Sequence, residues 1–278
     1  MNELPLDQIV CAEALEFMAT LPSESVDMVL TSPPYDDLRK YGGYTWDFEG
    51  TACELYRVIK PGGVVVWVVG DSVVDGSETL TSFEQAVYFK KCAGFRLHDT
   101  MIWHKDGAPF PESNRYLQTF EYMFVLSKGT PAVKHILEVP TLYGASRTSS
   151  GRHADGTIDR FKYELHKPTR KMDNVWYIPS GYMKTTKDKN AFAHPAMFPE
   201  ELAERHILTW TDPGDVVLDC FAGAGTTLKM ARKLDRHYIG CDLNPEYVAL
   251  AEKRLRDTDP YQHSTLPNGT KQLSMFSE

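Results

Sequence analysis

Along the first 130 residues, short apolar runs of strand length alternate with stretches whose apolar positions recur at helical spacing. Ile9-Val10-Cys11 precedes a helical stretch from Ala14 to Leu21, and the run Val26-Asp27-Met28-Val29-Leu30 follows. A polar, aromatic loop over 36–50 leads to a helical stretch through Glu54-Leu55-Tyr56-Arg57-Val58-Ile59 and a turn at Pro61-Gly62-Gly63. The unbroken run Val64-Val65-Val66-Trp67-Val68-Val69 then has the length and β-branched content of a buried strand. A helix from about Thr79 to Cys92 and strands at Asp99 to Trp103 and Phe120 to Leu126 complete this part. Such alternation predicts βαβ units and an open α/β sheet.

From Pro131 to about Asn190 the rhythm fails. Gly, Ser, Thr, Pro and basic residues follow one another without a sustained period over a span too long for a simple connection, which predicts an inserted functional region. Regularity returns with a helix from about Glu200 to Leu208 begun at Pro199, a turn at Asp212-Pro213-Gly214 and a strand at Val216-Val217-Leu218. A helix to about Leu234, the strand Tyr238-Ile239-Gly240 and a last helix follow. That last helix has a marked start: Asn244 caps it, Pro245 suits the first helical position, and Glu246 meets the positive end of the helix dipole. The pattern divides the chain into the first part of one α/β domain over 1–130, an insertion over 131–190, the second part over 191–257 and a flexible polar tail over 258–278.

At 278 residues the chain can bury a sizeable core and fits one α/β domain carrying an insertion. Its 5 Cys contain no Cys-x-x-Cys pair, which argues against a disulfide framework or a zinc site. There is no basic segment followed by an apolar stretch at the start, and no apolar run near the roughly 20 residues that cross a bilayer, so the expected location is cytoplasmic. The net charge of −8 argues against a nucleic-acid partner until it is located. Residues 128–192 hold 12 Lys and Arg against 6 Asp and Glu, whereas the rest of the chain holds 18 against 32. Local basic surface, not total charge, meets phosphates.

Two segments carry candidate chemistry. Asp219, Phe221, Ala222, Gly223, Gly225 and Thr226 follow one strand and open a helix, where glycines let the backbone approach a ligand. Asp242 lies 19 residues beyond Gly223, at the end of the next strand, where a carboxylate suits the two hydroxyls of a ribose. The dinucleotide fingerprint has a third glycine where this chain has Leu228, and no Lys-Ser or Lys-Thr pair marks a triphosphate loop. An adenosine cofactor without a pyrophosphate remains, and S-adenosylmethionine fits.

The other segment, Thr31-Ser32-Pro33-Pro34-Tyr35, ends the strand that starts at Val26. Ser32 and the Pro33 carbonyl can accept hydrogen bonds from a planar exocyclic amino group, and Pro34 has no N–H to occupy a neighbouring acceptor. An aromatic amine is a poor nucleophile because its lone pair is delocalised; acceptors that draw its hydrogens out of plane return density to nitrogen. Tyr35 can stack on the base. A sulfonium donor leaves as a neutral group, so alignment matters more than a strong base. None of Cys11, Cys53, Cys92, Cys220 or Cys241 follows a proline in the arrangement that carbon-5 methylation of cytosine uses. A paired base must leave its duplex to reach such a turn. Tyr41, Tyr44 and Trp46 are available for stacking, and Arg39 and Lys40 for phosphate contacts.

With these motifs in this order, the chain resembles the β class of DNA amino-methyltransferases, in which the catalytic motif precedes the cofactor motif and the target-recognition region lies between them. The resemblance runs from about Ile9 to Leu255 and includes Arg57-Val58-Ile59-Lys60-Pro61-Gly62-Gly63, Trp103-His104-Lys105, the segment from Glu121 to Lys128, Asp173-Asn174-Val175-Trp176 and the segment from His194 to Pro199. It implies an α/β fold: a Rossmann-like mixed sheet flanked by helices, with permuted motif order and an inserted target-recognition region. It also implies that Ser32, Pro33, Pro34 and Tyr35 form the amino-group site, and that Asp219, Phe221, Ala222, Gly223, Gly225 and Thr226 line an S-adenosylmethionine pocket. Asp242 would hold the ribose and His194 would help with the methionine end, while Glu13 stands where the family usually has an aspartate near the adenine. Arg147, Arg152, Arg160, Arg170 and Lys171 become candidates for contacts to double-stranded DNA. Homodimers are common in the class.

Family members with Ser before Pro-Pro-Tyr lean towards N4 of cytosine and those with Asp towards N6 of adenine, so the expected target is cytosine with adenine as the alternative. Methylation of RNA or of a protein side-chain amide, or a catalytically silent module that binds DNA or a clamp, stays open at this point. In the tail, Gln272-Leu273-Ser274-Met275-Phe276 resembles the bacterial sliding-clamp binding peptide, with Gln272, Leu273, Met275 and Phe276 as its contacts. A tail folded back on the core is the other reading.

Overall fold

The expected βαβ rhythm opens the chain as β1 (Gln8–Cys11), α1 (Ala14–Thr20), β2 (Val26–Thr31), α2 (Phe48–Val58) and β3 (Ile59–Val69). The computed structural model describes residues 3–34, 46–107, 115–141, 146–164, 168–188 and 197–259, with the backbone alone at 146–149 and 161–164. A small ribbon of β4 (Val73–Val74) and β5 (Ser77–Glu78) precedes α3 (Thr81–Tyr88), which continues as a π-helical turn over Phe89–Ala93. Then come β6 (Arg96–His104) and β7 (Phe120–Ser127). The central segment holds β8 (Glu138–Pro140), β9 (Ser146–Arg152), β10 (Ile158–Glu164), β11 (Thr169–Lys171) and β12 (Val175–Tyr177). The chain returns through α4 (Glu200–Trp210), β13 (Val216–Asp219), α5 (Thr226–Lys233), β14 (His237–Asp242) and α6 (Pro245–Arg256).

Among the described residues one eight-stranded sheet has the order β1-β14-β13-β2-β3-β7-β6-β12. Only β7 runs against its neighbours. The carboxyl ends of β1, β14, β13, β2 and β3 therefore share one edge, and β13 lies directly beside β2 with Val217 opposite Met28 and Leu218 opposite Val29. Open α/β sheets bind ligands at this edge.

Period-two alternation places the core. On β3, Val64, Val66 and Val68 face a cluster built with α4, α5 and α6, while Val65, Trp67 and Val69 face α1, α2 and α3. A strand buried on both faces needs apolar residues at every position, which explains the unbroken run in the sequence. Each fully buried Val or Leu contributes roughly 1.5–3 kcal/mol. Trp67, wholly buried, keeps its indole N–H satisfied by Gln85 Oε1 at 2.8 Å.

Several elements differ from the periodicity: β3 already starts at Ile59 and runs through the Pro61-Gly62-Gly63 segment read as a turn, and two others bear on the core. α2 starts inside the stretch read as loop, because the Asp47 carboxylate caps it by accepting from the Gly50 N–H at 2.9 Å, and Phe48 is drawn against Trp67 and Phe89. β12, inside the irregular central segment, pairs parallel to β6 as an edge strand of the main sheet. Trp176 anchors it, its ring tilted by 38° against the buried His206 with centroids 4.6 Å apart. By contrast β9 and β10 form a two-stranded antiparallel ribbon that joins no other sheet among the described residues. No helix among the described residues is long and apolar enough to cross a membrane.

Candidate active site

Because β2 and β13 are neighbours, the Ser-Pro-Pro turn and the glycine-rich turn emerge side by side. Thr31, the last residue of β2, donates its hydroxyl to Asp219 Oδ1 at 2.6 Å, and Thr227 at the start of α5 donates to the Leu30 carbonyl at 3.0 Å. Both links are buried and join segments more than 180 residues apart in sequence. Ser32 and Pro34 are half-buried and Pro33 is buried, so the turn leaves β2 beside the end of β3.

The glycine-rich turn is shaped by its own backbone. Gly223 and Gly225 adopt φ of 50° and 72°, in the left-handed region that favours glycine. A Cβ on Gly225 would lie 2.7 Å from the Ala251 Cβ of α6, so this position also demands the absence of a side chain. The Asp219 carboxylate accepts from the Phe221 N–H at 3.2 Å, and the Gly225 N–H donates to the Ala222 carbonyl at 2.7 Å. The Phe221 ring is held edge-on by Trp46, with centroids 5.1 Å apart, in the aromatic group around Trp67.

Electrostatics distinguish the acids. Burial pushes the Asp219 carboxyl up to about 6, against hydrogen bonds from the Thr31 hydroxyl and the Phe221 N–H that pull it down. At neutral pH it is a buried carboxylate able to attract a cation. Asp242, half-buried at the end of β14, is also raised by burial, opposed by the N–H groups of Asn244 and Gly223 at 2.9 and 2.8 Å. Next to it Leu243 exposes an apolar side chain. Glu13 lies at the same edge after β1, where its carboxylate caps α1 through the Glu16 N–H at 2.9 Å. The Cys220 thiol, beside Asp219, is buried, and burial pushes it up, away from the thiolate that reactive cysteines need.

One strand over from the Ser-Pro-Pro turn, a cavity of about 170 Å³ opens at the end of β3 and the start of β7. Gly70, Asp71, Glu78, Tyr116, Leu117, Gln118, Phe120 and Tyr122 line it. Asp71 is fixed there by the Ser82 N–H and hydroxyl at 2.8 and 2.6 Å.

Ser32, Pro33, Pro34, Asp219, Phe221, Ala222, Gly223, Gly225, Thr226 and Asp242 thus share one edge of the sheet. Arg152 and Arg160 are exposed on the β9–β10 ribbon, and Lys171 is exposed on β11. Arg170 forms a two-pronged pair with Asp173 at 2.8 and 3.0 Å. Arg147 is on β9, with only its backbone described. Tyr35, Arg39, Lys40, Tyr41, Tyr44, His194 and the tail residues Gln272, Leu273, Met275 and Phe276 lie outside the described residues. Sequence reasoning missed Thr31 and Leu243. A β-branched threonine ending a strand reads as a strand former, and an apolar residue after an acid carries no signal until the sheet edge is known.

The sequence model for DNA methylases matches residues 26–253. The orphan methyltransferase M.BamHII of Bacillus amyloliquefaciens is 52% identical over 238 residues, covering 84% of this chain and 89% of that protein. The DNA adenine methyltransferase YhdJ of Escherichia coli is 26% identical over 270 residues, covering 93% of this chain and 85% of the relative. Among solved structures, a candidate DNA modification methylase from Thermus thermophilus, complexed with S-adenosyl-L-methionine, superposes with a TM-score of 0.61 at 26% identity over 90% of this chain and 94% of its own. The family match spans both turns and every strand between them, and so the chain belongs to the DNA methylases, in their β class of amino-methyltransferases.

Proposed function

We propose that this chain transfers a methyl group from S-adenosylmethionine to the N4 amine of a cytosine flipped out of double-stranded DNA. The observation that carries the reading is the buried Thr31–Asp219 hydrogen bond, which locks the amine-accepting turn against the glycine-rich turn. The residues present suit the cofactor. Asp219 offers a buried negative charge to a cationic ligand, Asp242 offers two acceptor oxygens at the position of a ribose, and Phe221 and Leu243 offer apolar surface to a purine. When bound, S-adenosylmethionine supplies a methyl group on a sulfonium that departs as a neutral thioether. Ser32 and the Pro33 carbonyl orient the amine, accept its hydrogens and raise the density on nitrogen. The aromatic walls of the cavity beside Gly70 can shelter a planar ring from water.

Ser32 in the place of an aspartate favours cytosine, whereas the adenine specificity of the Escherichia coli relative favours a second reading, transfer to N6 of adenine. Incubation with isotopically labelled cofactor and mixed-sequence DNA, followed by digestion and mass identification of the labelled nucleoside, decides. N4-methylcytosine is expected; N6-methyladenine moves the reading to adenine, and carbon-5 label or no label removes it.

For DNA contact, Arg152 and Arg160 are the favoured arginines. They are exposed near the end of the free β9–β10 ribbon, with Arg152 opposite Ile158 and Arg160 opposite Ser150 on the same face. Neither guanidinium is hydrogen-bonded or ion-paired to another described residue, whereas Arg170 is engaged by Asp173. A two-stranded ribbon can enter a major groove. The double variant Arg152→Ala, Arg160→Ala is expected to lower the slope of log affinity against log salt by about two, one for each lost phosphate-range cation. Arg170→Ala should stay near the parent slope. A double variant with the parent slope, measured by fluorescence anisotropy across a salt series, would remove the ribbon from the interface.

A further inference from the structure

The glycine-rich turn is gripped from behind. Arg254, on α6, has a side chain only 1% exposed, yet it carries a guanidinium. Its Nη1 donates to the Ala224 carbonyl and, at 3.4 Å, to the Thr226 hydroxyl. Nη2 donates to Glu200 Oε1 at 3.0 Å, and Nε to Asp188 Oδ2 at 2.9 Å. Glu200, the first residue of α4, also accepts from Lys229 of α5 at 2.7 Å and from the Thr186 hydroxyl at 2.6 Å. Two cations, Arg254 and Lys229, thus face two carboxylates, Glu200 and Asp188, in a cluster that joins α4, α5, α6 and the central segment.

The position of this cluster matters more than its burial. Ala224 sits between Gly223 and Gly225, two residues whose freedom would let its peptide group turn over. The arginine holds that carbonyl on one side of the peptide while the Gly225 N–H, bonded to the Ala222 carbonyl at 2.7 Å, holds the other, and Ala251, three residues earlier on the same helix, blocks the turn from moving towards α6. A guanidinium sealed from solvent reaches a ligand only through the backbone it holds. Asp188 lies late in the central segment that carries the DNA-contact candidates, so the same arginine links that segment to the turn.

We propose that Arg254 is a positioning residue for the cofactor, setting its affinity by fixing the Ala224 carbonyl, and that Asp188 extends this restraint to the end of the central segment. The inference rests on the glycine-rich turn being the cofactor's seat. Arg254→Lys keeps a charge but loses the rigid fork of donors, and Asp188→Asn keeps the shape but removes the charge at a partly exposed position. In the full-length enzyme, both are expected to weaken S-adenosylmethionine binding by calorimetry about tenfold, the scale of supporting groups one step from a ligand. KM for the cofactor should rise in step while kcat with DNA holds. Arg57→Lys serves as the stability control: Arg57 ties α1 to α2 on the opposite face through the Leu21 and Met18 carbonyls at 2.8 and 2.7 Å. It should lower the melting temperature without changing cofactor affinity.

Arg254→Lys with parent affinity overturns the positioning role, Asp188→Asn with parent affinity overturns the coupling, and where Arg254→Lys does not fold, Thr226→Val, which removes a hydroxyl partner of Nη1, takes its place with the same expectation. Loss of affinity in the Arg57 control to the same extent overturns the proposal as well, since affinity would then follow global stability. A parent protein that binds no S-adenosylmethionine points to a different failure, that of the cofactor reading itself.

Discussion

Ser32→Ala is expected to bind S-adenosylmethionine as the parent does and to lose about 10²–10³ in kcat, the scale seen when one preorganised polar group aimed at the reacting atoms is removed. The two halves of this expectation come from different parts of the structure. The links Thr31–Asp219, Thr227–Leu30 and Arg254–Ala224 that hold the cofactor side are each made by groups other than the Ser32 hydroxyl. The turn itself keeps its path because Pro33 and Pro34 fix their own φ whatever precedes them. What alanine removes is an acceptor at the amine, leaving one hydrogen in the plane of the ring and the lone pair delocalised. Equilibrium binding of the cofactor and single-turnover methylation of DNA separate the halves. Turnover within a few-fold of the parent would exclude the hydroxyl from the reaction, and a parallel loss of cofactor binding would show that the substitution had disturbed the turn instead.

How much of this was legible in the sequence depends on the range of the interaction. β3 was visible as six unbroken apolar residues, and α6 was visible from Asn244-Pro245-Glu246, since burial on two faces and a cap are local demands. The adjacency of β2 and β13 could be expected only from fold-level resemblance, because parallel pairing between residues 28 and 217 leaves no local mark. β12 escaped notice for a related reason: three residues cannot display a period, and their partner is β6, more than 70 residues earlier. Arg254 illustrates a signal that was present and unused. Val248, Ala251 and Leu255 form the buried stripe of α6, and position 254 falls on it, so the arginine in a run of charges was placed to point inward. Asp173, three residues after Arg170 but off any helix, left no spacing signal, and only the structure shows the ion pair that occupies this arginine.

Asp219→Asn is expected to make the unliganded protein more stable and, at the same time, poor at holding its cofactor. The folded carboxyl titrates at about 6 against about 3.9 for an unfolded aspartate. Above pH 6 both states are ionised, and the folded one bears the cost of a buried charge, about 3 kcal/mol for a shift of this size. As pH falls from 6 to 4 the folded state takes up its proton first, so stability contributed by this group increases; below 4 both states are protonated and the gain is complete. This slope is the reverse of a salt-bridged carboxylate. Asparagine removes the charge and can keep the geometry, with Oδ1 accepting from Thr31 and the Phe221 N–H and Nδ2 donating to the Thr227 hydroxyl, which itself donates to the Leu30 carbonyl. Denaturant unfolding should therefore show the variant more stable by up to about 3 kcal/mol at pH 7.5, with the advantage gone near pH 4. Cofactor affinity should move the other way, falling about tenfold or more as the ionic partner of a sulfonium and an ammonium is lost. In the parent the same loss should set in as pH drops through 6, accompanied by proton release on binding. Equal stability at all pH values would mean that no buried charge is carried at Asp219, and undiminished affinity would move the cofactor away from the glycine-rich turn.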